Sequence, residues 1–437
     1  MPNIDEILLR LHVDELTPMQ QTTMDEYGKG RDMVLLAPTG TGKTLAYLLP
    51  LAMSIEGRSV LQAVVILPSR ELALQTETVF KSMGTKIPAM SCYGGRPAME
   101  EHRKMESVKP VVLFATPGRL NDHLQKCNIA IGCVRTIVID EFDKCLELGF
   151  RDEMAQVLSR LPAKARRILL SATDAPDIPD FVSKHDLKKL NFLNDEAQPS
   201  DRIEVYEVDS PEKDKLDTLS RLLCCEGDAT SLVFVNYRES VERVARYLRQ
   251  SGFSCGAFHG GMEQEQRERA LYKFSNASCN VLISTDLASR GLDIPFVDNI
   301  IHYHLPLSNE VYIHRNGRTA RWRAEGKAFI LLGPEEHVPE FAGKPKIYVF
   351  PDIIPHPPVP QWTTLFINKG KSDKINKVDV VGFLTKVGNL RADFIGCIDV
   401  DAHYAFVAVR RSELRGLLAR IAGKKIKGVK AIVGEAR

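Results

Sequence analysis

A series of short apolar runs without polar alternation limits most strongly what this chain can fold into. Strands buried on both faces have this composition, whereas half-exposed strands alternate apolar and polar residues. The stretches between the runs are long enough for crossover helices, so the pattern predicts an α/β fold with two doubly wound parallel-sheet domains. The predicted strands are Met33–Leu36, Ala63–Leu67, Val111–Ala115, Val134–Ile139 and Ile168–Leu170, then Ser231–Val235, Cys255–His259, Asn280–Ser284, Asn299–His304 and Ala328–Leu332.

Two stretches interrupt this rhythm and predict domain boundaries. Asn194–Asp201 is polar, and six prolines lie between Gly343 and Pro360, which favours an extended connector. The predicted divisions are a first domain at 1–197, a second at 198–343, a proline-rich linker at 344–360 and a small third domain at 361–437. A chain of 437 residues is long enough for about three domains.

Composition excludes a disordered, a collagen-like and a coiled-coil protein. Hydrophobic residues make up 44% and charged residues 26%, which is typical of soluble globular proteins. No apolar run approaches the roughly 20 residues of a membrane span, and the acidic start is unlike a secretory signal. The nine cysteines form no CxxC pair, so neither a zinc site nor a disulfide framework is predicted, and a cytoplasmic setting is expected.

The positive charge is concentrated in the tail. Residues 361–437 contain 15 Lys and Arg against 7 Asp and Glu, whereas the rest of the chain contains 43 against 49. A basic tail on a mildly acidic body suggests that the tail meets a polyanion. The alternative is a solvated lysine-rich surface, and charge alone does not separate the two.

A phosphate-binding loop follows the first predicted strand. In Ala37–Thr44, Gly40 and Gly42 let backbone N–H groups turn towards phosphates, and the following helix adds its positive end. Lys43 is expected to reach the β- and γ-phosphates, and the Thr44 hydroxyl to ligate Mg²⁺. The strand–loop–helix context makes a simple glycine-rich turn the weaker interpretation.

Two further clusters carry chemistry. Asp140 and Glu141 end a predicted buried strand, where the Asp can hold Mg²⁺ and the Glu can deprotonate the attacking water. Alone, such a pair is more often a helix N-cap, but the phosphate loop upstream reverses the odds. His314–Arg321 holds three arginines and a histidine, and planar guanidinium groups suit the charge of a transferring phosphoryl. A basic surface turn is the alternative.

The ordered set of segments resembles the DEAD-box family of ATP-dependent RNA helicases, in superfamily two. About ten motifs match in order across roughly 340 residues, which makes chance agreement negligible. The matches are Thr17–Gln20, Ala37–Thr44, Pro68–Ala73, Gly94-Gly95, Thr116–Arg119, Asp140–Asp143, Ser171–Thr173, Leu232–Asn236, Gln264–Arg267, Ser284–Asp293 and His314–Arg321.

The resemblance implies two RecA-like domains that use ATP and Mg²⁺ and bind RNA, and it implies roles by position. Gln20 would read the adenine edge, Asp293 the ribose, and Arg318 and Arg321 would be arginine fingers beside the catalytic Glu141 and Lys43. The remaining ATP contacts would be Thr39, Gly40, Thr41, Gly42, Thr44 and Asp140. Of these, Thr44 and Asp140 would also hold Mg²⁺, largely through water molecules. Asp143, Ser171, Thr173 and His314 would couple hydrolysis to duplex opening. Arg70, Gly95, Thr116, Arg119, Thr285 and Arg290 would lie near the RNA backbone.

The chain departs from the family at several positions. In the segment Asp140–Asp143, Phe142 stands where the family has its name-giving Ala, and we expect activity but a repacked neighbour. Asn316 and Ala320 replace an aliphatic residue and a Gly. Asn3 stands about where an aromatic residue usually stacks on adenine, so weaker adenine binding is expected.

The tail reads β-α-β-β-α-β, the order of an RNA-recognition fold. The predicted elements are Thr363–Asn368, Lys377–Val387, Ile395–Val400, Tyr404–Arg410, Ser412–Ala422 and Ile426–Val433. Phe366, Tyr404 and Phe406 could offer stacking platforms for bases, or could be packing on a small sheet. The whole chain is thus expected to be two RecA-like domains plus a small α+β, RRM-like C-terminal domain.

The lysine-rich segments of the tail resemble the DbpA family of bacterial helicases, whose tail docks on large-subunit ribosomal RNA. Candidate phosphate contacts are Lys371, Lys374, Lys424, Lys425, Lys427 and Lys430. The expected protein is a monomeric, cytoplasmic, RNA-dependent ATPase that unwinds short duplexes in structured, ribosomal RNA, without membrane or DNA partners. The alternatives are an ATP-gated RNA clamp or annealing chaperone, a general RNA-remodelling or decay helicase, and a DNA helicase.

Overall fold

The structure is a computed structural model that describes residues 3–38, 40–57, 59–95, 98–147, 150–172, 178–179, 181–182, 187–193, 203–286, 297–319 and 326–436. It divides into two compact units, one within the first 199 residues and one that begins at Ser200. Among the described residues, no helix combines the length and apolar character that crossing a bilayer requires.

The first unit contains a parallel sheet with helices on both faces. Its strand order is β3-β4-β2-β5-β6-β1-β7, and two buried clusters cover its two faces. The strands are β1 (Met33–Leu36), β2 (Ala63–Ile66), β3 (Ala89–Cys92), β4 (Val112–Ala115), β5 (Thr136–Ile139), β6 (Arg166–Ser171) and β7 (Lys188–Asn191). The helices are α1 (Ile4–Arg10), α2 (Pro18–Gly28), α3 (Lys43–Ser54), α4 (Arg70–Ser82), α5 (Ala98–Val108), α6 (Pro117–Gln125), α7 (Phe142–Glu147) and α8 (Arg151–Arg160).

The five strands predicted here are present, and two more were missed. β3 reads Ala-Met-Ser-Cys and lacks the β-branched residues that signal a strand. β7 is exposed at three of its four positions, because it pairs only with β1 at the edge of the sheet. Both strands owe their conformation to a neighbouring strand rather than to their own composition.

The second unit repeats this architecture in a sheet ordered β10-β11-β9-β12-β13-β8-β14, again with parallel pairs. Its strands are β8 (Ile203–Asp209), β9 (Ser231–Val235), β10 (Cys255–Phe258), β11 (Val281–Thr285), β12 (Asn299–His302), β13 (Gly326–Leu332) and β14 (Lys346–Ile347). Its helices are α9 (Leu216–Glu226), α10 (Arg238–Gln250), α11 (Gln264–Ser275) and α12 (Asn309–Asn316). Together the two sheets confirm the predicted fold class.

The proline-rich segment is partly integrated into this domain. β14 pairs with β8, and the Tyr348 ring packs edge-on against Phe329 at 5.6 Å. The Arg221 guanidinium lies 4.6 Å from the centre of the Phe350 ring. The start of the segment predicted as a linker therefore completes the second sheet.

The tail forms a four-stranded antiparallel sheet ordered β16-β17-β15-β20, with its helices on one face. The elements are β15 (Trp362–Ile367), α13 (Lys377–Gly382) continued by a π-helical turn (Phe383–Val387), β16 (Ile395–Val400), β17 (Ala405–Arg410), α14 (Leu414–Ile421), a small hairpin of β18 (Lys425–Ile426) and β19 (Val429–Lys430), and β20 (Val433–Glu435). The predicted strand Ile426–Val433 is wrong. Lys427 (φ 51°) and Gly428 (φ 82°) turn the chain there, and only residues 433–435 join the main sheet.

The other face of the tail sheet packs against α11 of the second unit. The Tyr272 ring stacks on Phe406, with centroids 5.1 Å apart, and its hydroxyl lies 2.5 Å from the Cys397 carbonyl oxygen. Asn276 donates to the Thr364 hydroxyl at 3.0 Å, and the Tyr404 hydroxyl donates to Glu268. The aromatic face considered as a stacking platform is therefore largely occupied within the chain.

Replacing Tyr272 by Ala should release the tail from α11. The change removes the aromatic stack on Phe406 and the hydroxyl contact with Cys397. Truncating a fully buried aromatic ring costs about 3–5 kcal/mol, and the cost at this half-buried tyrosine should be lower. The tail should then tumble independently, which ¹⁵N relaxation of its amides in the full chain would report. Tyr237→Ala is the control, since Tyr237 is 65% exposed, and it should leave tail relaxation unchanged. Equal relaxation in both variants would show that Tyr272 does not hold the tail.

Candidate functional site

The predicted polar loops of the first unit emerge at one edge of its sheet, where the strands end. The phosphate loop follows β1, Asp140 follows β5, and Ser171 ends β6. These three strands are neighbours in the sheet. The loops carrying Arg70, Gly95 and Thr116 follow β2, β3 and β4, which are also neighbours. The edge therefore has a nucleotide half and an adjoining half that holds the predicted RNA contacts.

The phosphate loop adopts the turns that its glycines predict. Gly40 (φ 84°) and Gly42 (φ 89°) both have left-handed backbone, which a side chain would strain. The Lys43 ammonium folds back on the loop and donates to the carbonyl oxygens of Ala37 (2.5 Å) and Pro38 (3.1 Å). The Thr41 hydroxyl donates to the same Pro38 oxygen at 2.8 Å. Thr39 lies outside the described residues.

Gln20 connects α2 to the phosphate loop. Its side-chain oxygen accepts from the Thr17 N–H at 2.9 Å in a capping box, and its amide donates to the Gly42 oxygen at 3.2 Å. A Cβ at residue 42 would collide with this amide. Gln20 thus shapes the loop directly, and its predicted contact with adenine stays a prediction.

Asp140 is a buried carboxylate at the end of β5. Burial, with the neighbouring Glu141 second, raises the pKa of Asp140 to about 7. The Tyr47 hydroxyl donates to its Oδ2 at 3.2 Å, and the Glu141 N–H donates to its Oδ1 at 2.9 Å. Burial disfavours the charged carboxylate, and the nearby charge of Lys43 offsets only part of this effect on its pKa. A bound cation would therefore be a further favourable partner.

The turn after Asp140 has left-handed backbone at Glu141 (φ 48°). Such backbone at a non-glycine residue costs on the order of 1–3 kcal/mol and is concentrated at functional sites. Next to it, Asp143 pairs with Lys144 at 3.2 Å, and both side chains are buried. Phe142 is 2% exposed and packs within the hydrophobic cluster, and the repacking of a neighbour stays a prediction.

The donor set at this edge fits Mg²⁺. Mg²⁺ prefers hard oxygen ligands, usually one or two protein groups with water and phosphate oxygens completing the shell. The desolvated Asp140 carboxylate, with its raised pKa, is the group that gains most from a cation. Thr44, in the first turn of α3, carries the other predicted oxygen ligand, and its role stays a prediction.

The other half of the edge holds four predicted RNA contacts, Arg70, Gly95, Thr116 and Arg119. Gly95 has left-handed backbone (φ 93°), and a Cβ there would collide with the Arg70 guanidinium. Thr116 precedes α6, which begins at Pro117. Arg119 forms an ion pair with Glu101 at 3.3 Å, a partner that the sequence patterns did not single out.

In the second unit, a buried arginine ties three strand ends together. Arg315, 1% exposed, donates to Asp286 through Nε (2.6 Å) and a terminal nitrogen (2.8 Å). It also donates to the His304 carbonyl oxygen at 2.7 Å and to Asn236 at 2.9 Å. These partners follow β12 and β9, and Asp286 adjoins Thr285 at the end of β11. Only the crowding of arginines in His314–Arg321 could have pointed to this role.

Several further predicted residues are buried, and their functional roles stay predictions. Ser171 is fully buried, and its carbonyl oxygen accepts from the Ala37 N–H at 3.1 Å. His314 (6% exposed) and Arg318 (7%) are buried on and just after α12. Asn316, a departure from the family, bonds the His302 ring at 3.0 Å. Thr173, Arg290, Asp293, Ala320 and Arg321 lie outside the described residues.

The six candidate lysines of the tail are all exposed. Lys427 donates to the Lys374 carbonyl oxygen and to Asp379, both at 3.0 Å, which brings the 371–374 turn beside the β18–β19 hairpin. We call these residues the lysine patch (Lys371, Lys374, Lys424, Lys425, Lys427 and Lys430). By contrast, the Tyr404 hydroxyl is bonded to Glu268, so its predicted RNA contact would first have to break that bond.

Known families match all three parts of the chain. The DEAD/DEAH box helicase profile covers residues 17–181, the helicase conserved C-terminal domain covers 214–323, and the DbpA RNA binding domain covers 364–434. The chain is 32% identical to the ATP-dependent RNA helicase DbpA of Escherichia coli strain K12, over 94% of this chain and 93% of that protein. It is 34% identical to the ATP-dependent RNA helicase CshA of Listeria monocytogenes, over 75% of this chain and 64% of that protein.

Solved structures show the same fold. S. cerevisiae Dbp5 bound to RNA and ADP BeF3 has a TM-score of 0.67 and 25% identity, over 77% of this chain and 90% of that one. Mss116p bound to ssRNA and AMP-PNP has a TM-score of 0.67 and 26% identity, over 76% and 72%.

Replacing Asp140 by Asn should stabilise the metal-free chain at high pH but not at low pH. Because its pKa is raised in the folded state, the Asp140 carboxyl prefers to be protonated there. Its contribution to the free energy of unfolding is therefore full below the unfolded-state pKa of about 4 and is lost as the pH rises through about 7. Asn cannot ionise, and its advantage should grow over that window to on the order of 4 kcal/mol, at 1.36 kcal/mol per pKa unit. Thermal unfolding in chelator at pH 4.5 and pH 8 measures this.

Asp122→Asn is the control for that experiment. The half-exposed Asp122 carboxyl has a lowered pKa because it bonds Lys126, so its contribution to the pH dependence of stability has the opposite sign. An Asp140→Asn advantage of equal size at both pH values would contradict the assignment of Asp140 as a buried, incompletely compensated carboxylate.

Proposed function

The chain belongs to the DEAD-box family of ATP-dependent RNA helicases, and from that premise we propose that it opens short duplexes in large-subunit ribosomal RNA during ribosome assembly. It is an ATP-hydrolysing RNA helicase with a DbpA-type RNA-binding tail. The observation that carries the ribosomal proposal is the lysine patch, which leaves six exposed cations on a tail docked against the second helicase domain. We expect it to act as a monomer in the cytoplasm.

In the proposed ATP site, each residue has a separate task. Backbone N–H groups of Gly40 to Thr44 hold the phosphates, and Lys43 exchanges its loop carbonyls for phosphate oxygens. Mg²⁺ held through Asp140 and Thr44 would neutralise phosphate charge when bound. Glu141 accepts a proton from the attacking water, and Arg318 and Arg321 stabilise the transferring phosphoryl.

The RNA half of the first sheet edge is proposed to hold the sugar-phosphate backbone. Arg70 and Arg119 supply positive charge, and the Gly95 turn lets the strand approach the protein backbone closely. Contacts of this kind carry no sequence information, so the preference for one RNA must come from the tail. Ser171, at the end of β6, and Thr173 are proposed to couple hydrolysis to opening.

The tail is proposed to recognise ribosomal RNA through the lysine patch rather than through its aromatic face. Phe406 is 3% exposed and stacked on Tyr272, so it cannot receive a base in the docked arrangement. Exposed lysines pair with phosphates and release counterions, which favours a folded, highly charged RNA. A single-stranded ligand would instead need the covered face.

Glu141→Gln should abolish hydrolysis while ATP and RNA binding survive. The amide keeps the size of the side chain but cannot accept the proton of the attacking water. Single-turnover hydrolysis should fall by at least about a hundredfold, within the range for loss of a general base. Glu106→Gln, at a 67% exposed side chain of α5, is the control. Wild-type single-turnover rates in Glu141→Gln would remove the assignment.

Changing Lys424, Lys425 and Lys430 together to Gln should weaken binding to a large-subunit ribosomal RNA fragment and flatten its salt dependence. The slope of log affinity against log salt should fall by about 0.7–0.9 for each phosphate that the protein no longer neutralises. Lys427 is left intact because it bonds the tail's own loops. Lys104, Lys109 and Lys164, exposed in the first unit, form the matched triple control. An unchanged slope would place recognition elsewhere.

A further inference from the structure

Glu101 is a buried carboxylate that belongs to no motif singled out in the sequence. It lies on the first turn of α5 and is 6% exposed. Its Oε1 accepts from the Tyr93 N–H at 3.1 Å. Its Oε2 lies 2.9 Å from Nε2 of His123, 3.3 Å from the Arg119 guanidinium and 3.6 Å from the Cys92 thiol. One side chain thus connects the end of β3 to α6.

The two segments that Glu101 connects carry predicted RNA contacts. Tyr93 directly precedes Gly94-Gly95, whose turn packs against Arg70. Arg119 itself is one of the predicted contacts, and its side chain is only 10% exposed. The carboxylate therefore fixes the start of one RNA loop and the orientation of the arginine in the next.

A metal ion is the rival interpretation of the same side chains. Cys92, Glu101 and His123 are buried, with potential ligand atoms within 4.8 Å of one another. However, Arg119 approaches the carboxylate oxygen that such a cation would need. A guanidinium keeps its charge at all accessible pH values, so it repels a cation there and compensates the carboxylate itself. The cluster is thereby explained as a charge-compensated network.

We propose that Glu101 is a positioning residue that sets the RNA affinity of the helicase by holding the Gly94-Gly95 turn and the Arg119 side chain in fixed positions relative to each other. This deepens the proposed function and rests on the RNA contacts assigned there. Neutralising the carboxylate leaves Arg119 buried beside an amide, and a buried charge without its partner rearranges towards solvent. Arg119 then leaves the orientation in which it meets the RNA backbone.

The test compares Glu101→Gln with Glu77→Gln in the full chain. Glu77 is also buried (7% exposed) and also accepts from a β3 N–H, that of Ser91 at 3.0 Å, but its side-chain partner is Lys81. Glu101→Gln should raise the RNA concentration for half-maximal ATPase about tenfold, because the displaced Arg119 loses one charge-assisted contact with the RNA backbone. The kcat at saturating RNA should change less than about twofold. Glu77→Gln should lower thermal stability comparably without moving the RNA half-saturation.

Two results would overturn the proposal. The first is an RNA half-saturation in Glu101→Gln that moves no more than in Glu77→Gln. The second is stoichiometric Zn²⁺ in the purified wild-type chain that Glu101→Gln loses. If Glu101 acts through Arg119, adding Glu101→Gln to Arg119→Ala should shift half-saturation by less than it does alone, and an additive shift would count against the proposal.

The proposed function can fail separately. If Arg70→Ala and Arg119→Ala both leave RNA half-saturation unchanged, the RNA half of the edge is misassigned and the inference falls with it. If both raise half-saturation but Glu101→Gln does not, the RNA edge stands and only the positioning role of Glu101 is wrong.

Discussion

Parallel pairing of the first sheet is the constraint on which its chemistry depends. Parallel strands end on the same side, and neighbouring strands lie about 4.8 Å apart, so the loops that follow them share one edge. The order β3-β4-β2-β5-β6-β1 then decides which loops are neighbours. Lys43 and Asp140 are far apart along the chain, yet the charge of Lys43 partly opposes the burial and the Glu141 charge that together raise the pKa of the Asp140 carboxyl. The same rule places Arg70 against Gly95 in the adjoining half.

Buried charges at these strand ends differ in how completely the protein compensates them. Arg315 is satisfied by Asp286, Asn236 and a carbonyl oxygen, and Glu101 by Arg119, His123 and a backbone N–H. Such networks hold loops in place, since removing one partner exposes the cost of burying the other. Asp140 is different, because desolvation still dominates its pKa. A fully compensated group fixes geometry, whereas an incompletely compensated one is suited to bind a cation.

The tail shows how packing can redirect a binding domain. A small antiparallel sheet with aromatic residues on its open face is a stacking surface when it stands alone. Here α11 covers that face with Tyr272, Asn276 and Glu268, and the aromatic residues serve as an internal interface. The lysine patch remains exposed, and Lys427 holds its two segments side by side. Charge and burial therefore both favour the lysine patch over the aromatic face for the proposed RNA binding.

The sequence by itself determined the α/β class, ten of the parallel strands, the phosphate loop and the family, because these depend on local composition and on motifs read in order. It did not reveal β3 or β7, which lack strand-forming composition and are held by their neighbours. It also missed β8, which is only partly buried, and β14, which is two residues long. It could not reveal Glu101, Tyr47 or Arg315 as partners of site residues, because their roles depend on contacts between segments distant in the chain. Nor could the sequence decide whether Phe406 stacks on an RNA base or packs inside the protein, because the pattern of an aromatic residue on a strand is the same in both cases. Only the tertiary structure decided that, by placing Tyr272 on its ring.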